Sequence, residues 1–441
     1  MSFESRFDLV PLGSLARFIN GDRGENYPKP TDYVSDGIPF LSATDVGEGK
    51  IAWQEAKRIS SASYFKLRSG HVQRGDILFC LRGSLGKLGY VEDDSKGAIA
   101  SSLVILRASD EGMSRYLRFV LGSPEAQNVI KSLDNGSVQG NISAAVLKGL
   151  LVPNPPDNLR LFITANLESV TGQIDVNRRI NQTLEGMAQA IFKSWFVDFD
   201  PVKAKIAAIQ EGCDPLRAAM SAISCKADAE LDALPPVQYE QLAATAMLFP
   251  DEMEKSELGE IPRGWQVQRV GKVLELVYGK ALKSTDRQEG NVPVYGSGGI
   301  TGYHNTPLVQ HGSIIVGRKG TVGSLYWEDE PFFPIDTTYY VRPLAAPLTF
   351  CYYAMQNLGL EKMNTDAAVP GLNRENVYRL ELVLPDVSAL QKFDLDVSTL
   401  RKAIRANSDS NKTLANLRDS LLPKFLSGEL SATEVMAEAE A

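Results

Sequence analysis

The strongest constraint on the fold of this chain is a heptad pattern that occurs twice, about 230 positions apart. Steps of four and three residues select a mostly apolar seam in two segments. The first seam comprises Ile163, Leu167, Val170, Ile174, Asn177, Asn181, Leu184, Ala188, Ile191 and Trp195, and the second comprises Phe393, Val397, Leu400, Ile404, Asn407, Asn411, Leu414, Arg418, Leu421 and Phe425. We predict two long helices that form a coiled coil, although two separate amphipathic helices would also fit.

The paired asparagines predict how these helices meet. Asparagine at a seam position lowers the stability of a coiled coil and specifies its register. If the helices run antiparallel with aligned ends, Asn177 faces Asn411 and Asn181 faces Asn407. Because proline lacks an amide hydrogen, the first helix should end before Pro201, and the second should end or kink at Pro423.

The regions that precede the two helices also resemble each other. GDILFCLRGSLGKLG (75–89) matches GSIIVGRKGTVGSLY (312–326), and residues 11–24 resemble 269–282, with the order kept. Their short apolar runs, bounded by Gly, Asp or Pro, predict strands with a few interleaved helices. We therefore expect an α+β fold. Two mixed α/β domains would be joined by an antiparallel pair of helices ~50 Å long and related by a pseudo-two-fold axis.

This pattern divides the chain into two repeated parts and two additional segments. The expected boundaries are 1–156 for the first domain, 157–200 for the first coiled-coil helix, 201–260 for an acidic helical linker, 261–386 for the second domain, 387–428 for the second coiled-coil helix and 429–441 for an acidic tail.

Composition excludes several classes of protein. The chain is 44% hydrophobic and 23% charged, as expected for a folded protein. No apolar run is long enough for a membrane span, and the first twenty residues lack the apolar core of a secretory signal. Cys80, Cys213, Cys225 and Cys351 are widely spaced. That spacing argues against a disulfide framework or a cysteine zinc site and fits a reducing cytoplasm.

The net charge of −8 at first disfavours a nucleic-acid partner, but the charge is unevenly distributed. Residues 198–260 hold 13 acidic and only 5 basic side chains. In contrast, residues 57–87 hold seven basic side chains and one acidic side chain, Asp76. This basic stretch is able to meet phosphates, and a solvated surface is the alternative.

Motifs that resemble catalytic sites are incomplete. NPPD (154–157) resembles the base-binding motif of adenine methyltransferases, but Asp157 stands where an aromatic residue would stack on the base. The glycine-rich stretches 291–299 and 317–323 fit neither a phosphate-binding loop nor a dinucleotide motif. His304 and His311 offer weak support for a metal pair. We expect no catalytic site, cofactor or metal in this chain.

Three further segments carry a family resemblance: FKSWFVDFDPVKAK (192–205), SELGEIPRGW (256–265) and LRDSLLPKFLSGEL (417–430). With them, the whole chain resembles the DNA-specificity subunit of type I restriction-modification systems. The resemblance implies a non-catalytic cytoplasmic subunit whose two target-recognition domains each read one part of a bipartite double-stranded DNA site. It also implies conserved helices that set the spacing and dock two adenine-methyltransferase modification subunits, with restriction subunits joining later. It assigns no role to the acidic stretch 206–250.

The candidate DNA contacts follow from donor chemistry. Phosphates need Lys, Arg or backbone amides, and base edges are read best by Arg, Lys, Asn and Gln. Two matched glycine turns, at 82–87 and within 317–323, place cations where the backbone can approach a ligand closely. The candidates are Arg68, Arg74, Arg82, Lys87, Gln139 and Asn141 in the first domain, and Tyr303, His304, Asn305, Arg318, Lys319, Asn373 and Arg374 in the second. A surface salt bridge is the alternative for each one.

Aromatic and leucine side chains near the helix ends suggest a docking surface for the modification subunits. The candidates are Phe192, Phe196, Phe199, Leu422 and Leu426. Burial against the neighbouring target-recognition domain would explain them equally well. Two other functions also compete with DNA recognition: a coiled-coil adaptor that binds proteins, and a self-contained methyltransferase, which the missing cofactor loop disfavours.

Overall fold

The computed structural model of the chain describes residues 5–47, 49–134, 140–363 and 371–430. The chain divides into two compact units. The first unit comprises Met1–Asn177 and Asp409–Ala441, and the second comprises Arg178–Ser408. Each unit therefore contains one of the repeated domains together with parts of both long helices. Gln139 and residues 431–441 of the predicted tail lie outside the described residues.

The helices and strands are named in chain order within the described residues. The α-helices are α1 (Leu12–Leu15), α2 (Ser61–Lys66), α3 (Glu111–Gly122), α4 (Pro124–Ser132), α5 (Ala144–Lys148), α6 (Asp157–Phe196), α7 (Asp200–Glu211), α8 (Pro215–Ser224), α9 (Asp228–Leu231), α10 (Pro236–Met247), α11 (Val270–Val273), α12 (Leu348–Gln356), α13 (Arg374–Arg379) and α14 (Val387–Ser427). The strands of the first unit are β1 (Leu9–Pro11), β2 (Ala16–Asn20), β3 (Tyr33–Val34), β4 (Ile38–Leu41), β5 (Val46–Gly47), β6 (Lys50–Ile51), β7 (Arg58–Ile59), β8 (Ile77–Cys80), β9 (Leu88–Tyr90), β10 (Ala98–Ile99), β11 (Leu103–Ala108) and β12 (Leu151–Pro153). Those of the second unit are β13 (Met253–Ser256), β14 (Gly259–Pro262), β15 (Gln266–Arg269), β16 (Leu274–Tyr278), β17 (Val292–Gly296), β18 (Gly299–His304), β19 (Ser313–Gly317), β20 (Leu325–Glu328), β21 (Phe333–Pro334), β22 (Thr338–Pro343) and β23 (Glu381–Leu384).

The main sheet of the first unit has the strand order β2-β11-β8-β9, and its neighbouring strands are antiparallel. A second sheet has the order β10-β4-β7-β3, and β1 pairs with β12. Strand β8 explains why the sequence shows a continuous apolar run. Ile77 and Phe79 belong to one hydrophobic core, whereas Leu78 and Cys80 belong to another. Both faces of this strand are therefore covered, so alternation with polar residues is not required.

The second unit repeats this arrangement. Its main sheet has the order β16-β22-β19-β20, a second sheet has the order β18-β17-β21, and β15 pairs with β23. Strand β17 runs parallel to β21, as β4 runs parallel to β10. Strand β19 also lies between two cores, with Ile314 and Val316 in one and Ile315 in the other. The matched order of strands confirms the predicted internal repeat.

A glycine after the first strand of each main sheet is required by close packing. A side chain at Gly21 would collide with the carbonyl oxygen of Ile99, and one at Gly279 would collide with that of Ile335. Ile99 is the last residue of β10 and Ile335 directly follows β21, so the two carbonyls lie at nearly equivalent places in the repeat. The repeat thus keeps a glycine where only hydrogen fits.

The long helices α6 and α14 run antiparallel within each unit, as predicted. In the first unit, Asn177 Nδ2 donates to Asn411 Oδ1 at 3.0 Å. In the second, Asn407 Nδ2 donates to Asn181 Oδ1 at 2.9 Å. Both predicted asparagine pairs are therefore confirmed.

The two prolines have different outcomes. Helix α6 ends at Phe196, before Pro201, which lies in the first turn of α7. Helix α14 runs through Pro423 and ends at Ser427, next to Gly428 with a φ of 86°. An end at Pro423 is therefore excluded, because the helix terminates at the glycine that adopts the left-handed conformation.

An arginine stacked on an aromatic ring connects the α/β domain to helix α6 in each unit. In the first unit, the guanidinium carbon of Arg118 lies 4.5 Å from the ring centroid of Tyr90, and Arg118 pairs with Glu168 at 2.8 Å. In the second, the guanidinium carbon of Arg401 lies 4.5 Å from the ring centroid of Trp327, and Arg401 pairs with Glu185 at 3.0 Å. These contacts fix the sheet against the helices within its own unit.

The acidic segment is a folded set of helices. Helices α8, α9 and α10 enclose a small core that includes Met220, Leu231 and Ala246. The buried Lys205 ammonium donates to the carbonyl of Phe249 at 2.5 Å, which ties α7 to the end of α10. A hairpin of β13 and β14 then leads into the second domain. None of the helices in the described part of the chain is long and apolar enough to cross a membrane.

The predicted docking surface near the helix ends requires correction. Phe192, Phe196 and Phe199 are buried in the large core of the second unit. Leu422 and Leu426 are buried in the core of the first unit. Burial against the chain's own α/β domains removes all five side chains from solvent, so they do not form an exposed docking surface.

Candidate nucleic-acid interface

One edge of the main sheet in each unit gathers the loops that carry most of the candidate residues. In the first unit, β2 and β8 both end beside the start of β11, at Asn20 and Cys80. In the second, β16 and β19 both end beside the start of β22, at Tyr278 and Gly317. We call these positions the first-unit edge and the second-unit edge. They are equivalent in the internal repeat.

The turn after β8 places cations at the first-unit edge. Arg82 forms an antiparallel backbone bridge with Asn141. Gly83 and Gly86 give this turn φ values of 83° and 85°, which other residues rarely adopt. Arg82, Lys87 and Asn141 are exposed, and neither cation has a carboxylate partner among the described residues. Their charges are therefore available to an anionic ligand.

Arg68 lies at the same edge. Its amide donates to Asp22 Oδ2 at 2.9 Å, and the hydroxyl of Ser69 donates to the carbonyl of Asn20 at 2.8 Å. The hydrogen bond from the Arg68 amide lowers the pKa of the Asp22 carboxyl, which keeps this loop tie ionised at neutral pH. The guanidinium of Arg68 lies 3.5 Å from Glu25, so part of its charge is balanced.

Arg74 does not join this group. It precedes β8 and therefore lies at the opposite end of the strand from Arg82. Its guanidinium pairs with Glu111, at the start of α3, at 3.2 Å. The ion pair is the structural alternative that the sequence left open for each cation.

The second-unit edge brings together four of the predicted residues. The amide of Leu372 donates to the carbonyl of Arg318 at 2.8 Å, and Lys319 forms a backbone bridge in the same segment. This pairing carries Asn373, which caps α13, and Arg374 to the turn after β19. Lys319 is exposed and has no carboxylate partner in the part of the chain that the structure describes.

An aromatic residue lies among these arginines. The guanidinium carbons of Arg318 and Arg374 each lie 4.9 Å from the ring centroid of Tyr278. The ring of Tyr339 is 5.0 Å from that of Tyr278, and its hydroxyl donates to the carbonyl of Leu372 at 2.9 Å. Burial raises the pKa of Tyr339 to about 12, so this hydroxyl stays protonated at neutral pH.

Tyr303, His304 and Asn305 lie away from the second-unit edge. The start of β18 adjoins the turn after β19, where the hydroxyl of Ser324 donates to the carbonyl of Ser297 at 2.6 Å. The three residues are at the other end of this strand. There, His304 Nδ1 accepts from the amide of Gln288 at 3.0 Å, and Asn305 donates to the side chain of Gln288 at 2.7 Å.

Sequence reasoning missed three exposed residues at these edges: Arg23, Tyr278 and Lys280. All three end or follow the first strand of a main sheet, within the aligned stretches 11–24 and 269–282. That alignment could have identified these residues, because equivalent strand ends in the two repeats lie at equivalent edges of their sheets. The candidates were chosen as cations beside glycine turns, and the ends of these first strands were therefore not considered.

Other motifs have structural roles in the described residues. At the NPPD motif, Asp157 begins helix α6 and pairs with Arg160 at 2.6 Å. No group of three or more His, Cys, Asp or Glu side chains in the described ranges is arranged to hold a metal ion. The two edges instead offer guanidinium, ammonium and amide donors, which suit phosphate oxygens and base acceptors.

Comparisons with known proteins point to one kind of protein. The family model of the type I restriction modification DNA specificity domain matches residues 262–416. The type I restriction enzyme HindI specificity subunit of Haemophilus influenzae is 26% identical over 456 residues, which cover 93% of this chain and 98% of that protein. The MjaIX specificity subunit of Methanocaldococcus jannaschii is 20% identical over 98% of each chain.

Among solved structures, the S subunit of a type I restriction-modification system from M. genitalium has the same fold. Its TM-score is 0.50 at 16% identity, over 97% of this chain and 99% of that chain. This likeness confirms the α+β fold class with mixed domains and long helices. The resemblance predicted from the sequence is also confirmed: residues 262–416 match the family model of the DNA specificity domain, and the chain is similar along almost its whole length to type I specificity subunits.

Proposed function

We propose that this chain is the DNA-specificity subunit of a type I restriction-modification complex. The observation that carries the proposal is the repeated edge, at which Arg82 and Lys319 occupy matched positions. Two similar but non-identical edges suit a bipartite, asymmetric double-stranded DNA site, with one part read by each unit. The chain supplies recognition, and the long helices set the spacing between the two parts of the site.

In this proposal the chemistry comes from partners. Two adenine-methyltransferase modification subunits bind the helices, restriction subunits with endonuclease and translocase activity join them, and the complex acts in the cytoplasm. Because the predicted aromatic docking residues are buried, we assign docking to exposed apolar side chains of α6 and α14. These are Leu161 and Leu417 in the first unit, and Ile180, Met187 and Leu395 in the second.

The test is to co-express the chain with its methyltransferase subunit and to sequence the methylated adenines of the host DNA. Methylation at one split motif with a fixed gap is the expected result. Replacement of residues 1–150 by the equivalent part of another specificity subunit should then change one part of the motif only. A stable complex that adds no methylation would contradict the proposal.

A coiled-coil adaptor without DNA recognition is the alternative. It would account for the helices and for the acidic segment. It would not account for exposed cations at the same position of both units. The similarity to specificity subunits over almost the whole chain also disfavours it.

A further inference from the structure

We propose that Tyr278 positions Arg318 and Arg374 to read a guanine in the part of the DNA site that the second unit contacts. This inference rests on the proposed function and extends it to one type of base and one cluster of residues. Arg318 and Arg374 would touch the base, whereas Tyr278 would act through them as a positioning residue.

Three elements that are distant in sequence converge on one ring. Tyr278 ends β16, Arg318 begins the turn after β19, and Arg374 begins α13. Each guanidinium carbon lies 4.9 Å from the Tyr278 ring centroid, within the range of a cation–π contact. Tyr278 is 44% exposed, so the cluster lies at the protein surface where a ligand can reach it.

The backbones that carry the two arginines are tied together. The amide of Leu372 donates to the carbonyl of Arg318 at 2.8 Å, and the Tyr339 hydroxyl donates to the carbonyl of Leu372 at 2.9 Å. The Tyr378 hydroxyl accepts from the amide of Leu276 at 2.8 Å, which anchors α13 to β16. An arginine on such a backbone, with its planar face against a ring, loses little further freedom when it binds.

The donors of the two arginines remain largely available. Arg318 donates through one terminal nitrogen to the carbonyl of Asp336 at 3.0 Å. Arg374 Nε lies 3.4 Å from the carboxylate of its neighbour Glu375. Guanidinium groups present two parallel N–H donors, which match the O6 and N7 acceptors of guanine in the major groove. The exposed ammonium groups of Lys280 and Lys319, near the same edge, suit phosphates instead.

The aligned residues of the first unit differ from those of this cluster. In the aligned repeat, Asn20 stands at the position of Tyr278, and Leu81 stands at the position of Arg318. Loss of the cluster should therefore alter only the part of the DNA site that the second unit reads.

The test uses the full chain in complex with its methyltransferase subunits and a duplex library randomised across both parts of the methylated site. Tyr278→Ala should lower the preference for guanine at one position of the second part about fivefold, as expected for loss of a cation–π contact. Tyr278→Phe should retain the preference, because the ring remains. Arg374→Lys should lower the preference about tenfold, because an ammonium cannot make the bidentate contact. Base preferences in the first part should not change.

A matched control is Arg342→Ala. Arg342 is an exposed arginine near the other end of β22 that pairs with Glu275 at 2.8 Å, and its loss should leave all base preferences unchanged. Thermal unfolding of each complex shows whether a variant has lost its fold, and the phenylalanine variant then supplies the decisive comparison.

Two results would overturn the inference. The first is that the part of the DNA site read by the second unit contains no guanine, or that its preference for guanine is unchanged in Tyr278→Ala. The second is that these variants bind all duplex sequences more weakly by the same factor and with a shallower salt dependence, which would indicate phosphate contacts. A failure of the proposed function can be distinguished from a failure of this inference, because the wild-type complex would then methylate no bipartite site.

Discussion

A guanidinium without a carboxylate neighbour has more of its donors available for a ligand. The arginines of the first unit differ in this respect. Arg82 has no such neighbour among the described residues, whereas Arg74 pairs with Glu111 and Arg68 lies 3.5 Å from Glu25. Arg82 also follows a buried strand, which holds its backbone in place. The contribution of each cation to DNA binding should follow this difference.

We expect Arg82→Ala and Arg318→Ala each to weaken binding of specific DNA by about 1–3 kcal/mol, as for residues that contact bases. Arg74→Ala should change the affinity much less, because Arg74 lies at the opposite end of β8. Fluorescence anisotropy with a duplex that carries the methylated motif measures all three. Unchanged affinity in both Arg82→Ala and Arg318→Ala would show that neither residue contacts DNA.

At the level of the secondary-structure elements, the asparagine pairs specify how α6 and α14 meet. Asn177 is buried and receives a second hydrogen bond, from Gln173 at 3.1 Å. A buried amide needs such partners, because an unpaired polar group loses its hydration without compensation. An antiparallel register shifted by one heptad step would separate both pairs.

We therefore expect Asn177→Leu to lower the free energy of unfolding by about 1–3 kcal/mol, since the Asn411 amide loses its partner. The double variant Asn177→Leu/Asn411→Leu should regain stability, because an apolar seam is stable but specifies register less strictly. Chemical denaturation measures both effects. A fully stable and fully active Asn177→Leu protein would contradict a register role for this pair.

At the scale of the whole molecule, negative net charge and local positive charge have opposite effects on DNA. The acidic residues are concentrated in 198–260, where helices α8, α9 and α10 enclose a small core of their own. The exposed cations at the two edges lie on the sheets instead. Attraction to DNA is therefore a local property, although the pI of the whole chain is 5.2.

Binding to the specific duplex should weaken steeply as salt rises, with a slope in log–log form of about −0.9 for each phosphate contacted. Titration at several salt concentrations gives this slope. A protein adaptor would show no specific binding to DNA at any salt concentration, so that result would favour the alternative function.

Local periodicity was enough to predict several features of the fold. The asparagine pairs followed from heptad spacing, because residues three and four apart share one helix face whatever surrounds them. The repeat followed from matched segments in a common order. The cations Arg82 and Lys319 in the glycine turns were also predicted from the matched segments, since a turn is determined by residues that are neighbours in sequence.

Burial and long-range contacts could not be read from such spacing. Phe192, Phe196 and Phe199 looked like a docking surface, but the second α/β domain covers them, through contacts with residues more than a hundred positions away. The cluster at Tyr278 likewise joins β16, the turn after β19 and α13. Periodicity reports which face a residue occupies, whereas the folded chain determines what covers that face. The family resemblance and the helical pairing were therefore accessible from the sequence, and the composition of each DNA-binding edge emerged only when distant segments met in three dimensions.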